Sequence, residues 1–157
     1  MFRGDFQSSI DPKGRISIPA KFRDVFVETF EDERFMVTKC LVGMGDGSNC
    51  HGLSAYPYRE WLALEERVDR GEGFTSAQLN SIKRLVLAPA VECTADKQGR
   101  VLIPPTLRSY AAMDRDVVII GMQKKIEIWS QENWERVIGQ AEKDFPSDTA
   151  ALAALGI

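Results

Sequence analysis

Histidine is nearly absent: His51 is the only one in 157 residues. Imidazole is the commonest general base and metal ligand, so the sequence offers an enzyme little to work with. Cysteine is scarce as well. Cys40, Cys50 and Cys93 form an odd set without a dense disulfide pattern, which fits free thiols in a reducing compartment. No stretch approaches the roughly 20 apolar residues needed to span a bilayer, and the opening Met1-Phe2-Arg3-Gly4-Asp5-Phe6 lacks the apolar run of a signal peptide. A cytoplasmic protein without a membrane partner is expected. A strong charge excess is also missing. The net charge of -3 argues against wholesale coating of nucleic acid but does not describe a local surface.

What is present is the composition of a folded domain. An apolar share of 44% with 27% charged residues is ordinary for a globular chain. The length suits one compact domain or two small intimate ones sharing a core. Charge is unevenly spread: residues 1–24 carry five basic and three acidic side chains, residues 25–75 five and ten, residues 76–157 ten and ten. The cationic excess therefore sits at the N-terminus.

An internal repeat organises the chain. Asp11-Pro12-Lys13-Gly14-Arg15-Ile16-Ser17-Ile18-Pro19-Ala20-Lys21-Phe22-Arg23 aligns without gaps with Asp96-Lys97-Gln98-Gly99-Arg100-Val101-Leu102-Ile103-Pro104-Pro105-Thr106-Leu107-Arg108. Further on, Leu53–Trp61 answers Ile126–Trp134, with an insertion in the first copy at Gly43–Asn49, whose glycines and Asx residues are turn chemistry. Each half reads as strand, tight turn, strand, short helix, strand, strand, longer helix. Gly14 and Gly99 stand where a turn needs positive φ. Pro19 and Pro104 end a strand and suit the first turn of a short helix. Pro57 opens a helix through Trp61, Leu62, Leu64 and Val68 to Gly71, and Ser130 caps another through Trp134, Val137 and Ile138. Between the halves, Thr75-Ser76-Ala77-Gln78 has capping-box spacing. It starts a connector ending at Pro89, with Leu79, Ile82, Leu85 and Val86 on one core-packed face. The expected parts are residues 1–74, a connecting helix 75–90, residues 91–145, and a tail 146–157.

The repeated Asp-x-x-Gly-Arg can do structural or binding work. An aspartate would be repelled by backbone phosphates, so Asp11 and Asp96 are read as holding the arginine or capping the turn. Arginine offers a planar fork that takes phosphate or guanine bidentately. Arg3, Lys13, Arg15, Lys21 and Arg23, all in the cationic segment, are therefore the DNA candidates, with Arg15 leading and Arg100 its second-copy counterpart. The plainer reading, a solvated face, applies most to the lysines. Trp61, Trp129 and Trp134 lie where packing, not base stacking, is expected. Cys50 and His51 are adjacent on a strand and point to opposite faces, which disfavours a thiol-imidazole pair. Gly43–Gly47 lacks the Gly-Lys-Ser/Thr ending of a phosphate loop. No catalytic residue, metal, cofactor or small-molecule ligand is expected.

Two copies of the motif in one short chain, with the opening Met1-Phe2-Arg3-Gly4 and the closing Ile126-Glu127-Ile128-Trp129, resemble the MraZ family of tandem SpoVT/AbrB-like regulators. The likeness runs from Met1 to about Phe145. It implies an α+β fold in which two swapped-hairpin AbrB-like halves form one pseudo-twofold β-barrel with flanking helices, assembled into closed rings. It also implies binding of double-stranded DNA at direct repeats in the promoter of the division and cell wall gene cluster, including the regulator's own gene, usually with repression, and association with the nucleoid. Gln98 stands where the first copy has Lys13, so the first copy is expected to carry the DNA contact and the second mainly the barrel and ring. The rivals are an AbrB-type antitoxin and a ring-forming structural protein without promoter specificity. The apolar Ala150–Leu155 is either a ring contact or a frayed end.

Overall fold

The computed structural model describes the whole chain, residues 1–157. Strands β1 (Asp5–Ser9) and β2 (Arg15–Ser17), helix α1 (Ala20–Phe30), strands β3 (Phe35–Gly43) and β4 (Asn49–Pro57), and helix α2 (Tyr58–Arg70) make the first half. The connector holds α3 (Ser76–Ile82), continued by a π-helical turn at Lys83–Leu87. Strands β5 (Val91–Cys93) and β6 (Arg100–Leu102), helix α4 (Pro105–Tyr110), strands β7 (Asp116–Met122) and β8 (Lys125–Ser130), and helix α5 (Gln131–Asp144) repeat the order, and α6 (Thr149–Leu155) closes the chain. No helix is long and apolar enough to cross a membrane.

Local chemistry sets most boundaries. Pro57 precedes α2, and Gly71 ends it in the left-handed conformation at φ 65°. The Ser130 hydroxyl accepts the Asn133 amide at the start of α5, and Thr75 and Gln78 form the reciprocal capping box of α3. Pro19 and Pro104 sit one residue earlier than expected, at the N-cap positions of α1 and α4, where their extended ψ near 140° turns the chain out of the strand.

The six-stranded sheet has the order β1-β7-β8-β4-β3-β5, and β2 pairs with β6 as a separate antiparallel ribbon. Exchange of the halves maps this order onto itself. Neither half keeps its own first hairpin: β1 pairs with β7 and β5 with β3. The expected closed barrel is not formed as one continuous ladder, because the sheet ends at β1 and β5 and the ribbon stands apart from it. A core of 21 buried residues lies between the sheet, the ribbon, α1 and α4, and draws on both halves, from Phe2, Ile16, Phe22 and Phe26 to Val101, Ile103 and Leu107. A smaller cluster of Cys50, Val118, Ile120, Trp129 and Val137 fills the other face under α5. Gly52 permits it, since a Cβ there would come within 2.5 Å of the Trp129 ring.

One expectation needs correction. The connector's apolar face is only half-buried, with Leu85 38% exposed. On the two long helices Leu62 and Ile138 face outward, at 43% and 42% exposure. The tail is no frayed end: Asp148 accepts the amides of Ala150 and Ala151, and Thr149–Leu155 forms a helix.

Candidate nucleic-acid interface

The β2–β6 ribbon has three residues in each strand, registered as Arg15 opposite Leu102, Ile16 opposite Val101 and Ser17 opposite Arg100. Side chains alternate across a strand. Ile16 and Val101 fill the core at 0% and 1% exposure, so Arg15, Ser17, Arg100 and Leu102 share the outer face.

Each arginine is fixed by the turn before it. The Asp11 Oδ1 accepts the amides of Lys13 and Arg15, both at 2.9 Å, while its Oδ2 accepts the Arg15 Nε at 2.6 Å. Asp96 repeats this with the amides of Gln98 and Arg100 at 2.9 Å and the Arg100 Nε at 3.0 Å. Each aspartate thus caps its turn and also holds its arginine. The amide of Arg15 foremost, then its side chain and the Lys13 amide, hold the Asp11 carboxyl below its ordinary value against a smaller opposing effect of desolvation. For Asp96 the Arg100 amide leads in the same way, with the Gln98 amide and the Arg100 side chain adding to it. No hydrogen bond within the chain engages the terminal Nη atoms of either guanidinium. They remain available to an anion or a base edge, on side chains whose aim is already set.

Gly14 and Gly99 close the turns at φ 84° and 77°, a region costly for residues with a Cβ. Each turn is then covered by the opposite half. The Ile18 amide donates to the Gly99 carbonyl at 2.8 Å and the Ile103 amide to the Gly14 carbonyl at 3.0 Å. Arg108 lies over Gly14 and Arg23 over Gly99, near enough that a Cβ at either glycine would approach the guanidinium carbon to 2.6 and 2.7 Å. Arg108 Nε donates to the Ile103 carbonyl, whereas Arg23 Nε is buried without a partner.

This crossing alters how the cations group. One end of the ribbon brings together Lys13, Arg15 and Arg108, the other Lys97, Arg100 and Arg23. The cationic bias toward the first copy, evident along the chain, is therefore evened out in space. Lys21 is exposed in the first turn of α1. Arg3 does not join the group: it neighbours Phe2, which bridges to Gln123 at the far end of β1, and roughly 25 Å of extended chain separates it from the Asp11 turn. Sequence reasoning missed Arg108, Lys97, Ser17 and Leu102. Arg108 was visible as the closing arginine of the repeat, and Leu102 and Ser17 as the outward positions of the ribbon strands.

Cys50 faces α5 while His51, on the opposite face, stacks on Tyr110 with ring centroids 4.2 Å apart. Burial raises the Cys93 thiol to about 11, and burial is also the first cause raising Cys40 and Cys50. Trp61 and Trp129 are buried and Trp134 is half-buried. No three His, Cys, Asp or Glu side chains come together so as to hold a metal ion.

Comparison with known proteins adds to this geometry. The family described as "MraZ protein, putative antitoxin-like" matches residues 1–84 and 86–155. A relative from Geotalea uraniireducens, named transcriptional regulator MraZ, is 54% identical over 160 residues, covering all of both chains. Relatives of the same name from Geobacter metallireducens and Pelotomaculum thermopropionicum are 53% and 43% identical, each covering all of this chain and 100% and 99% of their own.

Proposed function

Since the chain belongs to the MraZ family, we propose that it is a transcriptional regulator that binds double-stranded DNA sequence-specifically through the outer face of the β2–β6 ribbon and its two flanking turns. The observation that carries this is the pair of aspartate-held arginines, Arg15 and Arg100, on one exposed face with unengaged terminal nitrogens. Two strands of three residues make a ribbon roughly 10 Å long and 5 Å wide, and the major groove, about 12 Å across, admits such a ribbon. Lys13, Lys97 and Lys21 serve phosphates beside it. The targets in this reading are direct repeats in the promoter of the division and cell wall gene cluster, with the regulator's own gene among those repressed. The crossed pairing of β1 with β7 and β5 with β3 supports reading the halves as tandem AbrB-like units.

One chain presents few cations and neutralises few phosphates, so it binds weakly at physiological salt. A ring of identical chains on spaced repeats gains effective concentration without new contacts. Helix α6 and the end of the chain support such a head-to-tail assembly, since Leu155 and Ile157 are 77% and 76% exposed and the helix buries no residue. The same helix, without a charged residue, is unlike the disordered acidic tail of a toxin-binding antitoxin.

The test is a gel-shift titration against the promoter fragment, run with size-exclusion on the same preparations. Arg15→Ala and Arg100→Ala are each expected to weaken the specific complex by about tenfold or more with assembly unchanged. Unaltered affinity in both variants overturns the assignment.

A further inference from the structure

The ribbon is symmetric in its backbone but not in what it presents. Position by position, Arg15 answers Arg100 and Ile16 answers Val101, yet Ser17 answers Leu102. The turns differ too: Pro12-Lys13 in one stands where the other has Lys97-Gln98. Leu102 is 59% exposed and lies directly across from Arg15, at one end of a face otherwise built of arginine and serine. Its neighbours in the chain, Val101 and Ile103, supply the core at 1% and 0% exposure. Leu102 belongs to neither core cluster.

The major groove offers one apolar group, the C5-methyl of thymine, whereas the other base edges display hydrogen-bond donors and acceptors. A serine hydroxyl donates and accepts, and so meets polar edges. Resting on the DNA-binding reading above, we propose that Leu102 is a specificity-determining residue that packs against a thymine methyl. Its counterpart Ser17 meets a polar base edge, so that each protomer binds its site in one direction. The two arginines are equal anchors, and the Leu102/Ser17 pair decides which way the pseudo-symmetric ribbon faces along the duplex. A ribbon with two like faces would settle on a palindromic site; this one selects an asymmetric site.

The experiment uses the full chain. Duplexes are selected by the wild-type protein from a randomised pool, and the preferred site is rebuilt with uracil replacing each thymine in turn, which removes only the methyl. The wild type is expected to lose about fourfold in affinity at one or two thymines lying to one side of the site, the loss of one buried methyl-sized contact. Leu102→Ala is expected to bind the unmodified site about fourfold more weakly and to be indifferent to those replacements. Selection repeated with Leu102→Ser, which gives both strands the same outer residue, is expected to return a more palindromic site. Leu102 contributes nothing to the core, so both variants keep the fold. Matching uracil profiles for wild type and Leu102→Ala, or a change in assembly size without a change in profile, overturn the inference. If the wild type selects a site that depends on Arg15 and Arg100 but the profiles match, only the inference fails. If the wild type selects no site, the DNA-binding reading fails with it.

Discussion

The guanidinium of Arg108 lies over Gly14, 2.6 Å from where a Cβ would stand, and so clamps the turn of one half with the short helix of the other. Arg23 and Gly99 are related in the same way at 2.7 Å. Long cationic side chains stabilise through their stems as well as their charge. Arg108→Ala and Arg23→Ala are each expected to cost about 1–2 kcal/mol in urea unfolding. Arg108→Ala should be the larger, since Arg108 donates to the Ile103 carbonyl while Arg23 Nε has no partner. An unchanged midpoint for both would show that the two guanidiniums do not hold the turns.

Arg15→Ala and Arg100→Ala are expected to weaken promoter binding by comparable factors, on the order of tenfold or more each, the scale of one lost bidentate contact. Equality is the point, because both arginines are anchored by the same aspartate geometry. Arg3→Ala, at the far end of β1, is expected to change affinity by less than about twofold, since exposed charges beyond a Debye length are screened. Filter binding of the three variants on one fragment separates this from a first-copy interface, in which Arg3 and Arg15 matter and Arg100 does not.

How far the sequence reveals this is clearest at particular residues. Ser130, Thr75 with Gln78, Pro57 and Gly71 mark helix ends because capping is decided within three or four residues. The Asp11-to-Arg15 turn and its copy are legible for the same reason. Arg23 shows what is not. Charge counted along the chain assigns it to the first copy, but its guanidinium works at the turn of the second, because strand exchange between halves is a long-range fact. The open end of the sheet at β1 and β5 and the outward face of Leu62 likewise depend on which surfaces meet, which local pattern does not encode.

Acid should loosen both turns. The Asp11 and Asp96 carboxyls lie below their ordinary 3.8 in the folded chain, chiefly through the Arg15 and Arg100 amides. A folded value below the unfolded one means the turns' contribution is complete above about pH 3.8 and is lost as pH falls through the depressed value. Asp11→Asn with Asp96→Asn removes these two titrations, so urea midpoints measured between pH 2 and 5 are expected to fall less steeply than in the wild type, by roughly the share two such groups supply. At neutral pH the same variant should bind DNA more weakly, because an amide nitrogen cannot accept the arginine Nε.

Glu127 is the chain's most committed buried charge. It pairs with Lys125 Nζ at 2.9 Å and accepts the Trp129 Nε1 at 3.1 Å, with its side chain 10% exposed. Burial works against the charged Lys125, and Glu127 with Tyr56 outweighs it, so the amine stays protonated above its ordinary range. Glu127→Ala strands a half-buried cation and is expected to cost about 3 kcal/mol, the scale measured when one partner of such a pair is removed. Glu127→Gln, which keeps an acceptor for Trp129, should cost less. In thermal unfolding, a Glu127→Gln variant as stable as the wild type would show that the ion pair contributes nothing, whereas equal losses in the two variants would assign the whole cost to the charge.

Removal of residues 146–157 tests whether affinity depends on assembly. The segment contributes no buried residue to its own chain, so the shortened protein is expected to unfold at the same urea concentration as the full one. If α6 joins neighbouring copies, size-exclusion should show smaller assemblies. Promoter affinity at moderate salt should then fall by about a hundredfold or more, the range that multivalency supplies. The slope of log affinity against log salt should flatten at the same time, since fewer phosphates are neutralised in one binding event. A shortened chain with unchanged assembly and unchanged slope would remove α6 from the interface. A shortened chain with smaller assemblies but full affinity would show instead that a single ribbon suffices.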